Sequence, residues 1–266
     1  MSVLQVLVLG ILQGLTEFLP ISSSGHLVLV PWLLGWPNPS ITMDLVLHFG
    51  TVVAIIAAFW RDLLAIVTGW FKAVFLRQPN QNGRMGWLLI LATVPAAVLG
   101  FLLNDWFETL FGTPLLVACL LIVTAVLLMV CGRLGKRERS LAQLTWRDAL
   151  AMGVAQGLAI APGISRSGAT ISMGLVRGLD RPSAARFSFL MAIPIIVGAA
   201  AYKLLKEPIA SSEAMSLVVG FLASAVTGYI VIRLFLRFLT KHGLYPFAIY
   251  CVVFALLNLA VYCIRG

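Results

Sequence analysis

Residues 17–26 read EFLPISSSGH, and residues 160–169 read IAPGISRSGA. Each breaks a long apolar run with a proline, a serine cluster and a glycine. Proline ends a helix because its ring clashes with the preceding turn and removes a donor. Serine then restarts one by capping the orphan amides of the next helix. The two stretches therefore predict two helix–loop–helix hairpins, over 2–36 and 147–178. How each hairpin sits in its solvent decides the topology.

That solvent is lipid. The chain has 266 residues, 61% hydrophobic and 11% charged, whereas a soluble domain carries about a quarter charged residues. Its mean hydropathy is +1.00. Residues 18–43, 45–60, 85–104, 109–132, 187–202, 214–232 and 243–264 contain no Asp, Glu, Lys or Arg. Crossing a hydrocarbon core of about 30 Å takes roughly 20 helical residues, and the alternating strands of a membrane barrel are absent. The composition predicts an all-α polytopic membrane protein. The N-terminus lacks the basic region of a cleavable signal, the first Lys or Arg being Arg61.

The net charge of +9 points to loop placement rather than to nucleic acid. Arg61, Lys72, Arg77 and Arg84 fall in one connection, and Arg133, Lys136, Arg137, Arg139 and Arg147 in another. Basic residues crowded into alternate loops mark the cytoplasmic side. Cys119, Cys131, Cys251 and Cys263 sit in apolar spans without a C-x-x-C motif, and read as small hydrophobes.

An internal repeat links the two opening stretches. Aligned without a gap, 10–26 and 153–169 share Gly10, Gln13, Gly14, Leu15, Ile21, Ser22, Ser24 and Gly25 at an offset of 143. Cys119 with Cys251 and Cys131 with Cys263 repeat at 132. Two halves follow, about 1–135 and 145–266, forming one integral-membrane domain. Each has its hairpin followed by three spans: 44–60, 86–104 and 113–132, then 186–203, 214–234 and 244–264.

If each hairpin is re-entrant, leaving by the face it entered, six full spans remain and the second half is inverted relative to the first. The charges agree. With the termini outside, loops 61–85, 133–148, 177–186 and 235–243 fall inside and hold nearly all Lys and Arg, apart from Arg166, Lys203, Lys206, Arg233 and Arg265. The connections at 36–43 and 104–113 fall outside, with Asp105 and Glu108 but no basic residue.

Non-helical backbone at membrane depth survives only inside protein or beside an aqueous cavity, and ionisable residues there are functional candidates. Glu17, His26 and Arg166 lie at the two breaks. Two restarted helices would point positive N-termini at a common place, which favours an anion such as phosphate, and Arg166 would add a bidentate contact. The same residues have plainer readings. Glu17 with Arg166 would be a packing ion pair, the serines helix caps, and Gln13 and Gln156 interhelical hydrogen-bonders. Asp44, His48 and His242 read as structural at span ends.

The stretches QGLTEFLPISSSGH (13–26) and PGISRSGAT (162–170), with YPFAIY (245–250), resemble the undecaprenyl-diphosphate phosphatase family, the bacitracin-resistance proteins of bacterial membranes. The resemblance extends along nearly the whole chain. It implies an inverted-repeat membrane enzyme that hydrolyses a C55 isoprenyl diphosphate to the monophosphate. Such an enzyme would recycle the lipid carrier of cell-wall synthesis and confer bacitracin resistance. It implies catalytic Glu17, Ser23, His26 and Arg166, and phosphate contacts from Ser22, Ser24, Gly25, Ser165, Arg166, Ser167, Gly168 and Thr170. It also implies a divalent cation, Mg2+ or Ca2+, drawing on Glu17 and Gln13. The first of the family's paired acidic positions is Gln13 here, so Glu17 is the one carboxylate in the two motifs. Ser23, His26 or a water activated by Glu17 could be the nucleophile. The partners implied are the isoprenyl diphosphate and membrane lipids, with no nucleic acid, and a homodimer is compatible. The place implied is the bacterial cytoplasmic membrane, with termini and site opening on the outer face. A secondary transporter or flippase of a phosphate-bearing lipid is the other class that broken inverted helices suit.

Overall fold

The computed structural model describes residues 1–103, 106, 109, 110, 112–133, 138–206 and 214–265, with the side chains of 203–206 outside the description. Asp105, Glu108, Lys136 and Arg137 therefore lie outside the described residues, as do the side chains of Lys203 and Lys206.

Four short helices form the two hairpins: α1 (Val3–Thr16), α2 (Ser23–Leu34), α6 (Trp146–Leu158) and α7 (Arg166–Val176). Side chains cap each start, with Ser2, Ser22, Thr145 and Ser165 accepting from backbone amides of the first turn. The longest has 14 residues, about 21 Å at the helical rise, too short for a core of about 30 Å. Among the described residues six longer helices are apolar enough to cross a membrane: α3 (Ile41–Phe75), α4 (Gln81–Leu102), α5 (Pro114–Cys131), α8 (Arg181–Lys206), α9 (Ala214–Lys241) and α10 (Tyr245–Arg265).

Several of these outrun the predicted spans, α8 for instance beginning at Arg181 rather than 186. Arg61 and Lys72 lie on α3, which continues past a kink at Phe59 to Phe75, and Arg237 and Lys241 lie on α9. The stretch after Arg61 is apolar enough to keep winding as helix. It is then held by α4, whose capping Asn80 donates Nδ2 to Gly69 O at 2.8 Å. The connection from α3 to α4 is thus five residues, 76–80, rather than the predicted 61–85.

Contacts sort the connections by end. At one end Arg84 donates to Ala142 O at 3.4 Å, Leu141 N to Ser183 Oγ at 2.9 Å, and Arg139 N to Gly178 O at 3.0 Å. A Cβ built on Gly243 would stand 3.8 Å from Arg181 Nη2. The links after α3, before α6, after α7 and after α9 therefore share this basic end. At the opposite end Arg265 donates to Trp32 O at 2.9 Å, and Phe101 meets Tyr202 edge-on at 6.3 Å.

Fully buried Asp148 fastens the basic end, taking Arg139 Nη2 at 2.6 Å, Arg177 Nε at 2.8 Å and the Thr145 hydroxyl at 2.7 Å. Burial opposes its ionisation. The bonds from Arg139, Thr145 and Arg177 outweigh that, and hold its carboxyl well below the ordinary range.

Within lipid, helices associate by close packing rather than by escape from water, so small residues line the seams. Gly10 and Gly14 bring α1 against Gly220, Ser224 and Gly228 of α9. At the matching places in the second half, Gly153 and Gly157 bring α6 against Ala92 and Ala96 of α4. Phe18, Phe187 and Phe189 fill the centre, with Phe18 edge-on to Phe189 at 5.3 Å.

Candidate active site

The two breaks meet between the halves. Ser167 Oγ donates to Leu19 O at 3.0 Å, and a Cβ on Gly25 would stand 3.3 Å from Gly163 Cα. Gly163 has φ +98°, which a side chain would strain, and its carbonyl accepts from Thr124 Oγ1 on α5 at 2.9 Å. Thr124 Oγ1 in turn accepts from Ser165 N at 3.0 Å. The second break is thereby pinned to a spanning helix.

Much of the serine and glycine chemistry is architectural. Ser22 caps Gly25 N at 3.2 Å and Ser165 caps Gly168 N at 3.0 Å. The Ser22–Ser24 and Ser165–Ser167 hydroxyl pairs stand at 3.3 and 3.2 Å. Thr170 is fully buried and bonds Arg166 O at 2.8 Å and the Ser188 hydroxyl at 2.6 Å. Of the residues expected to hold phosphate, Ser24 and Arg166 line the central cavity. Ser22, Gly25, Ser165, Ser167, Gly168 and Thr170 do not.

That cavity has a volume of about 570 Å³. Its polar residues are Glu17, Ser23, Ser24, Asp44, His48, Thr93, Gln156, Arg166 and Tyr202, set among alanines, isoleucines and Phe101. Asp44, Phe101 and Tyr202 belong to the ends of α3, α4 and α8 remote from the basic connections, so the cavity reaches toward that end. Ser23 and Arg166 are the first residues of α2 and α7. Two positive helix ends therefore flank the cavity, an arrangement suited to an anion.

Glu17 is the hub. Its Oε1 takes Arg166 Nη2, and its Oε2 takes the Ser23 hydroxyl and Gln13 Nε2, the last at 3.1 Å. His48 Nε2 stands 3.8 Å from the same Oε2, while its Nδ1 lies 3.5 Å from Asp44 Oδ1 and 2.8 Å from Asp44 O. Guanidinium, hydroxyl and carboxylate thus converge on one point.

His26 is placed elsewhere. Its Nδ1 donates to Ser22 O at 2.7 Å, since a carbonyl can only accept, and its Nε2 pairs with the Tyr250 hydroxyl at 2.7 Å. The ring stacks on Phe254 at 4.5 Å. It is held against α10 by these contacts, outside the cavity, although positions 23 and 26 lie near one another on the helix. Asp44 and His48, read from the sequence as structural, line the cavity instead. Their signal was a His four residues after an Asp, both on one face of a span's first turns.

The implied Mg2+ or Ca2+ does not find a protein cage here. Both Glu17 oxygens are engaged, Gln13 offers an amide, and among the described residues no group of three His, Cys, Asp or Glu is placed to hold a metal.

Residues 6–257 match the family described as Bacitracin resistance protein BacA. The chain is 43% identical over 266 residues, the whole of both chains, to the undecaprenyl-diphosphatase of Moorella thermoacetica. It is 42% identical over 273 aligned positions to that of Thermomicrobium roseum, covering 98% of each chain. Against that of Pelobacter propionicus it is 45% identical over 258, covering 95% of this chain and 94% of the relative.

Proposed function

We propose that this chain, which belongs to the bacitracin resistance protein BacA family, hydrolyses undecaprenyl diphosphate to undecaprenyl phosphate and inorganic phosphate. It is a polytopic membrane hydrolase, with six helices among the described residues long and apolar enough to cross a membrane. The observation that carries the reading is the convergence of Ser23 and Arg166 on Glu17 beside two helix N-termini. The apolar wall of the cavity suits a prenyl chain, and its polar residues suit the headgroup.

Phosphoryl transfer rests on positioning and charge neutralisation. Arg166 and the two helix ends would draw in the terminal phosphate. Ser23 Oγ would attack its phosphorus in line, while the bond to the bridging oxygen breaks and the lipid monophosphate departs. Glu17, which accepts the Ser23 hydroxyl, would take the proton. Water would then hydrolyse the phosphoserine, releasing inorganic phosphate and restoring the hydroxyl. His48, 3.8 Å from Glu17, and Asp44 beyond it offer a path for the proton outward. A divalent cation would arrive with the substrate rather than on a protein cage, since Mg2+ commonly binds through substrate phosphates with few protein ligands.

The halves are read as inverted-topology repeats. Supporting this, the matched seams α1–α9 and α6–α4 recur, and the first hairpin's link to α3 lies at the end opposite the second hairpin's link to α8. By the positive-inside rule the basic end faces the cytoplasm of a bacterial inner membrane, and the cavity reaches toward the outer face.

Phosphate release from undecaprenyl diphosphate by purified protein in detergent, with and without chelator, tests the reading. Release abolished in Ser23→Ala and Arg166→Ala supports it. Lipid binding by well-folded protein with no phosphate released would overturn hydrolysis and favour transport.

A further inference from the structure

Gln13 and Gln156 occupy matched positions in the two halves, yet their surroundings differ. Gln13 donates Nε2 to Glu17, four residues on and so on the same helix face. Four residues on from Gln156 the chain has Ile160, so α6 offers it no acceptor. Gln156 is 1% exposed. Among the described residues neither its Nε2 nor its Oε1 has a hydrogen-bond partner, although it lines the cavity with Arg166 and Ser23. Buried amides are almost always paired, and an unpaired one destabilises the fold.

We infer that Gln156 is a substrate-binding residue, its amide donating to a phosphate oxygen of the diphosphate headgroup. The inference rests on the phosphatase reading and deepens it, giving the second half a headgroup contact besides Arg166. A prenyl chain cannot satisfy an amide, whereas a diphosphate presents oxygen acceptors throughout. Being neutral, the carboxamide binds without adding to the charge Arg166 already supplies.

The test uses the full chain in detergent with undecaprenyl diphosphate, comparing Gln156→Leu and Gln156→Glu with the parent. Losing one desolvated hydrogen bond should raise KM about tenfold and leave kcat within about threefold. Gln156→Glu, close in size but anionic, should raise KM further. Inorganic diphosphate should compete less well in both. Gln156→Leu should melt no lower than the parent, because an unpaired amide has been removed. A KM equal to the parent's, or a Gln156→Leu protein that melts lower or fails to fold, would make Gln156 a packing residue and overturn the inference. A parent that releases no phosphate would overturn the phosphatase reading instead. The amide contact would then be read from whether inorganic diphosphate raises the parent's melting temperature more than that of Gln156→Leu.

Discussion

Glu17 and Arg166, 149 residues apart, form an ion pair between the two helix breaks. Each half therefore supplies one sign of charge to a single point, and the hydroxyl of Ser23 joins them there. If the pair exists to neutralise a transferring phosphoryl group, Arg166→Ala should fold and lose about 10³–10⁵ in turnover. Arg166→Lys should recover only part, lacking the bidentate fork. If the pair merely fixes packing, Arg166→Ala should cost about 3–5 kcal/mol, and adding Glu17→Gln should restore stability and activity together. Turnover and melting temperature across the four proteins decide between them.

Ser23→Ala should lower kcat by at least about 10³-fold, the scale on which removing a nucleophile is felt. Ser24→Ala, whose neighbour is the capping Ser22 hydroxyl, should keep most activity. Ser23→Ala retaining activity within about tenfold of the parent would point to direct attack by water.

The two histidines should fail differently. His48→Gln keeps the size and hydrogen bonding of the side chain but not its proton transfer. It should lower kcat by about 10²-fold with little change in melting temperature. His26→Ala loses the Tyr250 bond and the Phe254 stack, so its activity should fall with its stability. Tyr250→Phe should cost about 1 kcal/mol of stability. A His26→Ala protein as stable as the parent yet inactive would return His26 to the chemistry.

A Cβ on Gly14 would meet Ser224 O at 2.7 Å and Gly228 N at 2.8 Å. Gly14→Ala should therefore cost about 1–3 kcal/mol by forcing α1 from α9. Gly198→Ala, with nothing within 4 Å of its built Cβ, should be neutral or stabilising by up to about 1 kcal/mol. Equal melting temperatures for the two variants would contradict the packing described.

Asp148 lies at the basic end, and its carboxyl is held below the ordinary range. A depressed value stabilises the fold fully above the unfolded value of about 4 and loses that contribution as pH falls below it. Melting temperature should therefore be insensitive to this group near neutrality and fall in acid below about 4. Asp148→Asn should flatten the acid response. Its cost should be about 2 kcal/mol, between exposed and buried pairs, because Arg139 and Arg177 remain 31% and 40% exposed.

The hairpins, the six spans and the pairing of Glu17 with Arg166 were legible because proline, serine and charge are rare inside apolar sequence, and each has one dominant physical reading there. The ends of α3 and α9 were not, since isolated Arg61 or Arg237 leaves a helix intact and only tertiary contacts set its length. Side-chain direction was the other blind spot. His26 and Ser23 are three residues apart, and which of them faced the cavity depended on where α10 packed. Asp44 and His48 looked peripheral because their depth along α3 is fixed by the neighbouring hairpin, not by their own surroundings in sequence.

The hairpin helices are too short to hold a place in the bilayer by themselves. While the first half alone is in the membrane, Glu17 is a carboxylate without its cation, and charge in hydrocarbon is strongly disfavoured. Docking of the second half would add the charge of Arg166 to the bonds from Gln13 and Ser23 that the first half already supplies. A molecule whose halves had not docked would keep that acid without its cation, so the ion pair would favour the docked arrangement of the two halves.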